Sequence, residues 1–98
     1  MSYTQIVAED RRLVTLRLLE QSNGYSGNEY LLASALPGFG HQVSADQVRT
    51  DFAWLQEQGL IEVKNLGNVQ VATLTQRGVD VACGRARQPG VKRPGPDS

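Results

Sequence analysis

Apolar positions recur at helical spacing between residues 6 and 21. Val7, Leu13, Leu16 and Leu19 form one stripe, which Val14 and Leu18 widen. Glu9 and Asp10 lie toward the start, where the positive end of a helix dipole favours acidic groups. Ser22-Asn23-Gly24 then ends the stretch with turn-forming residues. A shorter helix is predicted over residues 28–35, with Asn28 as its N-cap. Tyr30, Leu31, Ala33, Ala35 and Leu36 make its expected buried side. Pro37-Gly38 closes it, because the residue before a proline is driven out of the α region. Phe39 is expected to fold back as an apolar plug.

The third helix has the clearest pattern. Ser44-x-x-Gln47 has the form of a capping box. Val48, Phe52 and Leu55 follow at i, i+4 and i+7 on one face, Gly59 takes the left-handed C-cap position, and Leu60 turns the chain back to the core. The period then changes from 3.6 to 2. Ile61 and Val63 alternate with Glu62 and Lys64, Asn65-Leu66-Gly67-Asn68 forms a turn, and residues 69–74 return as a second strand. Val69 and Val71 fall on one side of that strand and Ala72 and Leu74 on the other, which calls for a bulge or for cover on both faces. Thr75 caps a last short helix running to Ala82, and Gly84 ends it.

This order predicts an α+β fold of three helices, a two-stranded hairpin and a short C-terminal helix. Ser44-x₃-Val48-x₃-Phe52-x₂-Leu55-x₃-Gly59-Leu60-Ile61, with Leu74-Thr75-x-x-Gly78 at the end of the hairpin, resembles the winged helix-turn-helix of small prokaryotic regulators. Residues 48–55 and 74–82, with Pro89-Gly90-Val91-Lys92-Arg93-Pro94, also look like small proteins of Mu-like phages and prophages, which are labelled regulators by fold analogy. The first resemblance implies a winged-helix domain over residues 1–84 that binds double-stranded DNA.

Composition adds bounds. The chain has 98 residues, 40% of them hydrophobic, which suits one domain with a modest core. Cys83 is the only cysteine, so no internal disulfide forms, in keeping with a reducing cytoplasm. Residues 1–10 lack a signal-peptide pattern, and no apolar run approaches membrane-spanning length. A soluble, cytoplasmic protein is expected. Net charge is +0, unevenly spread: residues 1–76 carry five basic and eight acidic groups, residues 77–98 five basic and two acidic. Residues 85–98 hold three prolines and little apolar bulk, so a disordered basic tail is expected.

In winged-helix proteins the solvent side of the third helix enters the major groove. Carried over position by position, Ser44, Gln47, Arg49 and Thr50 become the candidate base or phosphate contacts, with Lys64 on the wing. Arg suits guanine and Gln suits adenine. Asp46, Asp51 and Glu57 on the same helix work against phosphate. The alternative is that these polar residues form a solvated face. An outward Trp54 and the wing-tip Leu66 would then serve a protein-interaction adaptor that binds no nucleic acid. A lone domain of this size reads a short half-site, so a homodimer or a protein partner is the expected route to specificity. His41 stands without other ligands at metal spacing. No catalytic signature, cofactor motif, metal box or small-molecule site is evident.

Overall fold

The computed structural model describes residues 2–95. Among the described residues, each of the four α-helices starts at a residue whose side chain accepts one of the orphan N–H groups of the first turn. Ser2 does this for α1 (Tyr3–Glu20), with Gln5 reaching back to complete a capping box, so the helix begins three residues before the first expected position. Asn28 accepts from Leu31 at 2.8 Å and opens α2 (Glu29–Ala35). Ser44 opens α3 (Ala45–Glu57) and Thr75 opens α4 (Gln76–Ala82). The box at α3 is only half formed. Ser44 Oγ accepts from the Gln47 N–H at 3.2 Å, but the Gln47 side chain turns to Asp51 instead of back to the cap.

The sheet has one strand more than expected. A 3-10 turn over Asn23–Tyr25 leads into β1 (Ser26–Asn28), which pairs antiparallel with β3 (Val69–Leu74). On its other edge β3 pairs with β2 (Ile61–Leu66), giving the order β1-β3-β2. The β2–β3 register runs without a break from Ile61 opposite Leu74 to Leu66 opposite Val69, so there is no bulge. Instead β3 is the central strand. Ala72 and Leu74 enter the core while Val69 and Val71 are half-buried. Gly27 permits the approach of β1, since a Cβ there would stand 2.9 Å from Leu32 Cδ2 and 3.1 Å from Leu19 Cδ2.

The core joins Leu13, Leu16 and Leu19 of α1 to Val48, Phe52 and Leu55 of α3, with Leu60 and Ile61 at the base of the wing and Val81 and Ala82 from α4. Three helices and a hairpin in this arrangement make a winged helix.

Two local expectations are overturned. Tyr30 and Leu31 face solvent, and α2 instead buries Leu32, with Leu36 just beyond its end and Glu29 at its start. A helix this short presents only two turns, so the rotation set by its Asn28 cap decides which apolar residues point inward. Phe39 is 56% exposed rather than a plug, because the 3-10 turn over Leu36–Phe39 turns Leu36 inward in its place.

The segment after α4 also departs from the expectation. Residues 85–95 form a strap across α1 and α3. Val91 is buried, the Lys92 N–H donates to the Glu9 carbonyl at 3.1 Å, and Arg12 Nη1 donates to the Gly90 carbonyl at 2.9 Å. Gln88 also donates to the Gln58 side chain at 3.3 Å. The strap is held by buried Val91, by Ala86 packed at the edge of the core, and by hydrogen bonds to groups on the helices, contacts that composition does not encode. Residues 96–98 of the expected tail lie outside the described residues.

Candidate nucleic-acid interface

With Val48, Phe52 and Leu55 facing the core, α3 presents Asp46, Thr50, Ala53 and Glu57 to solvent, as its periodicity predicts. The flanking residues are committed elsewhere. Glu29, 0% exposed, accepts two hydrogen bonds from Arg49, one from Nε and one from Nη2 at 2.8 Å, and a third from the Gln70 N–H at 3.2 Å. Arg49 Nη2 also donates to the Asn68 carbonyl in the wing turn at 2.8 Å. Arg49 therefore ties α3 to the start of α2 and to the wing. Its hydrogen bonds outweigh burial and hold the Glu29 carboxyl below its ordinary range. The same pairing raises the Arg49 guanidinium.

Asp51 is likewise an internal partner and lies off the solvent face. Arg11 grips it with Nε at 2.6 Å and Nη2 at 3.0 Å, and Gln47 Nε2 donates to it at 3.2 Å. Hydrogen bonding to Asp51 raises the Arg11 pKa despite partial burial. The exposed acidic groups of α3 are thus Asp46 and Glu57, and its one cation is spent on Glu29.

The other candidates fall as follows. Ser44 is exposed and caps α3, and Thr50 Oγ1 donates to the Asp46 carbonyl at 3.2 Å. Lys64 is exposed on β2, and Leu66 at the wing tip is 65% exposed. Trp54 is no outward anchor. The Arg12 guanidinium lies 4.0 Å from its ring centroid, and Gly90 packs so closely that a Cβ there would sit 2.6 Å from Cζ2.

A second polar cluster joins the strap to α1. His41 Nε2 lies 2.7 Å from Asp10 Oδ2, and Lys92 Nζ lies 3.3 Å from Asp10 Oδ1. Burial opposes ionisation of Asp10, but hydrogen bonds from His41 and Lys92 outweigh it and hold the carboxyl below its ordinary range. Among the described residues no three His, Cys, Asp or Glu side chains converge as a metal site, and no helix is long and apolar enough to cross a membrane.

The pairings of Glu29 with Arg49 and of Arg11 with Asp51 have no signature in the sequence pattern. Glu29 follows an N-cap and reads as an exposed first-turn acid, and nothing in the order of residues marks its burial.

No protein-family model matches the chain. It is 54% identical over 91 residues to the uncharacterized protein gp26 of Escherichia phage Mu, covering 93% of this chain and 94% of that protein. An uncharacterized protein of Haemophilus influenzae is 38% identical over 102 residues, covering 100% of this chain and 96% of its own length. Among solved structures, the complex structures of hsRosR-S1 and hsRosR-S4 each match with a TM-score of 0.61 at 18% identity over 85% of this chain. The chain spans 67% and 65% of those two proteins. At that identity the likeness carries the winged-helix fold and nothing finer.

Proposed function

We propose that this chain, which belongs to the family of phage Mu gp26, is a small winged-helix DNA-binding regulator of Mu-like phages, acting in the bacterial cytoplasm by binding rather than catalysis. The observation that supports this most directly is the Arg49 bridge. By holding Glu29 at the start of α2 and Asn68 in the wing turn, it presents the open face of α3 and the wing as one preformed surface. Thr50 and Ala53 at the centre of that face are small, so a groove floor can approach the helix. Ser44 and Lys64 take phosphate, and Thr50 and Gln47 are nearest to base edges, Gln47 on release from Asp51. Arg49 acts chiefly as a positioning residue. An anisotropy titration against random duplex at two salt concentrations tests the reading. Expected is weak binding that falls with salt and weakens in Lys64→Ala. Undetectable binding at low salt overturns it.

One observation favours a second reading, an adaptor that binds protein. Asp46, Glu57 and Glu62 give the exposed surface of α3 and the wing base an acidic cast, and Leu66 stands exposed beyond them. With Trp54 covered, that reading rests on Leu66, and loss of a protein complex in Leu66→Ser without change in DNA affinity would favour it.

A further inference from the structure

α1 is apolar on two opposite sides. Leu13, Leu16 and Leu19 enter the core, while Tyr3, Val7, Val14 and Leu18 line the other side with Ile6 beside them. A helix apolar on both sides is one that is covered on both sides. Here the second side is only partly covered: Val7, Val14 and Leu18 are half-buried, the last two against the edge of the core, and the start of the helix is open. Tyr3 is 80% exposed and Ile6 half-exposed, and these two share a groove with Val7 and Phe39. Phe39 also borders a groove with Val14 and Leu18, and Leu18 borders a third with Leu31 and Ala35. The grooves join into one stripe, with Phe39 near its middle.

We propose that this stripe is the interface of a homodimer in which α1 packs antiparallel against α1 of a second copy. The spacing of the apolar positions selects that occupant. About a two-fold axis between residues 10 and 11, Tyr3 falls opposite Leu18 of the other copy and Val7 opposite Val14, so the pattern complements itself as an isologous contact requires. Area agrees. Aromatic side chains offer about 150–250 Å² each, so the exposed parts of Tyr3, Ile6, Leu31 and Phe39 come to on the order of 400–500 Å² of largely apolar surface. A standard interface buries about 800 Å² per partner, a little over half of it apolar. Charge agrees as well. Asp10, beside the axis, is already paired with His41 and Lys92, so closing the interface leaves no lone carboxylate there. The inference does not depend on DNA binding. Should that reading hold, the dimer would supply the second half-site that a lone domain lacks.

Sedimentation equilibrium on the full chain, from micromolar to millimolar, tests this together with a disulfide trap. Expected is a monomer–dimer equilibrium that Phe39→Asp weakens about tenfold or more, with an unaltered melting curve at low concentration because Phe39 lies outside the core. Tyr3→Ser gives a second reading at another exposed position, should Phe39→Asp disturb the turn. In a Cys83→Ser background, Val7→Cys/Val14→Cys should oxidise to a covalent dimer far faster than either single cysteine. A monomer throughout the range, as for a stripe that receives a different protein, overturns the proposal. So does a dimer indifferent to both surface substitutions, or a trap no faster than the single cysteines.

Discussion

Gly78 of α4 lies directly beneath the carbonyl of Leu60, where a Cβ would overlap the oxygen and crowd the Leu74 side chain. The same carbonyl accepts the Thr75 N–H at 3.1 Å, and Thr75 Oγ1 donates to the Gly59 carbonyl at 2.7 Å. The base of the wing and the start of α4 are thus fastened backbone to backbone. In an open helix Gly→Ala stabilises by about 1 kcal/mol. Here Gly78→Ala should destabilise by about 1–3 kcal/mol, the range for overpacking. A thermal melt decides the sign, and an unchanged or higher midpoint would contradict the packing.

Phe52 and Thr50 lie two residues apart on α3 with opposite fates, one at the centre of the core and one in solvent. Phe52→Ala should cost about 3–5 kcal/mol. Thr50→Ala should stay within about 0.5 kcal/mol. Urea titrations of the two variants measure both, and similar losses would mean that the inward face of α3 is misassigned.

The Glu29 carboxyl is depressed below its ordinary 4.5 by Arg49, so its stabilising contribution is complete above that value and drains away as pH falls through the lower folded value. Arg49→Leu removes the cause and leaves a buried carboxylate with only the Gln70 N–H. That variant should melt lower than the native protein at neutral pH, and acidification toward about pH 4 should raise its midpoint, since protonation relieves the buried charge. Melting curves across this range that run parallel for the two proteins would disprove the pairing.

Trp54 is the only tryptophan, so its emission reports the strap directly. Gly90 has φ +95 and meets the indole edge, so Gly90→Ala is strained both by backbone and by contact. The emission should shift to the red and acrylamide quenching should rise as the strap lifts. Val91→Ser should act in the same direction by removing its apolar anchor. Spectra unchanged in both variants would show that the strap does not cover the ring.

Where one residue type performs one local task, the fold was legible. Asn28, Ser44 and Thr75 cap the helices they were assigned, and Val48, Phe52 and Leu55 are buried together. Ser2 and Gln5 carry the same Ser-x-x-Gln pattern and form the full capping box of α1. β1 was not legible, because Ser-Gly-Asn has no alternation and its strand character comes from pairing with β3, which is distant in sequence. The candidate site was legible only as a face. Gln47 and Arg49 have chemistry suited to base edges, yet the structure turns Gln47 to Asp51 and Arg49 to Glu29. Pairings between charges 20 or 40 positions apart leave no periodic trace.

The strap joins positions that are 78 residues apart at Arg12 and Gly90, and 82 apart at Asp10 and Lys92. Contacts at such separation gain nothing until the helices and wing between them have already shortened the path, so they close at the end of folding. They are correspondingly the first to open. With one buried valine and a few hydrogen bonds to hold it, the strap can leave while Phe52 and its neighbours stay packed, in a sub-global opening well below the free energy of full unfolding. The expected outcome is a minor open form in which Trp54 and Arg12 are bare, seen as amide exchange at Lys92 running ahead of exchange in α3.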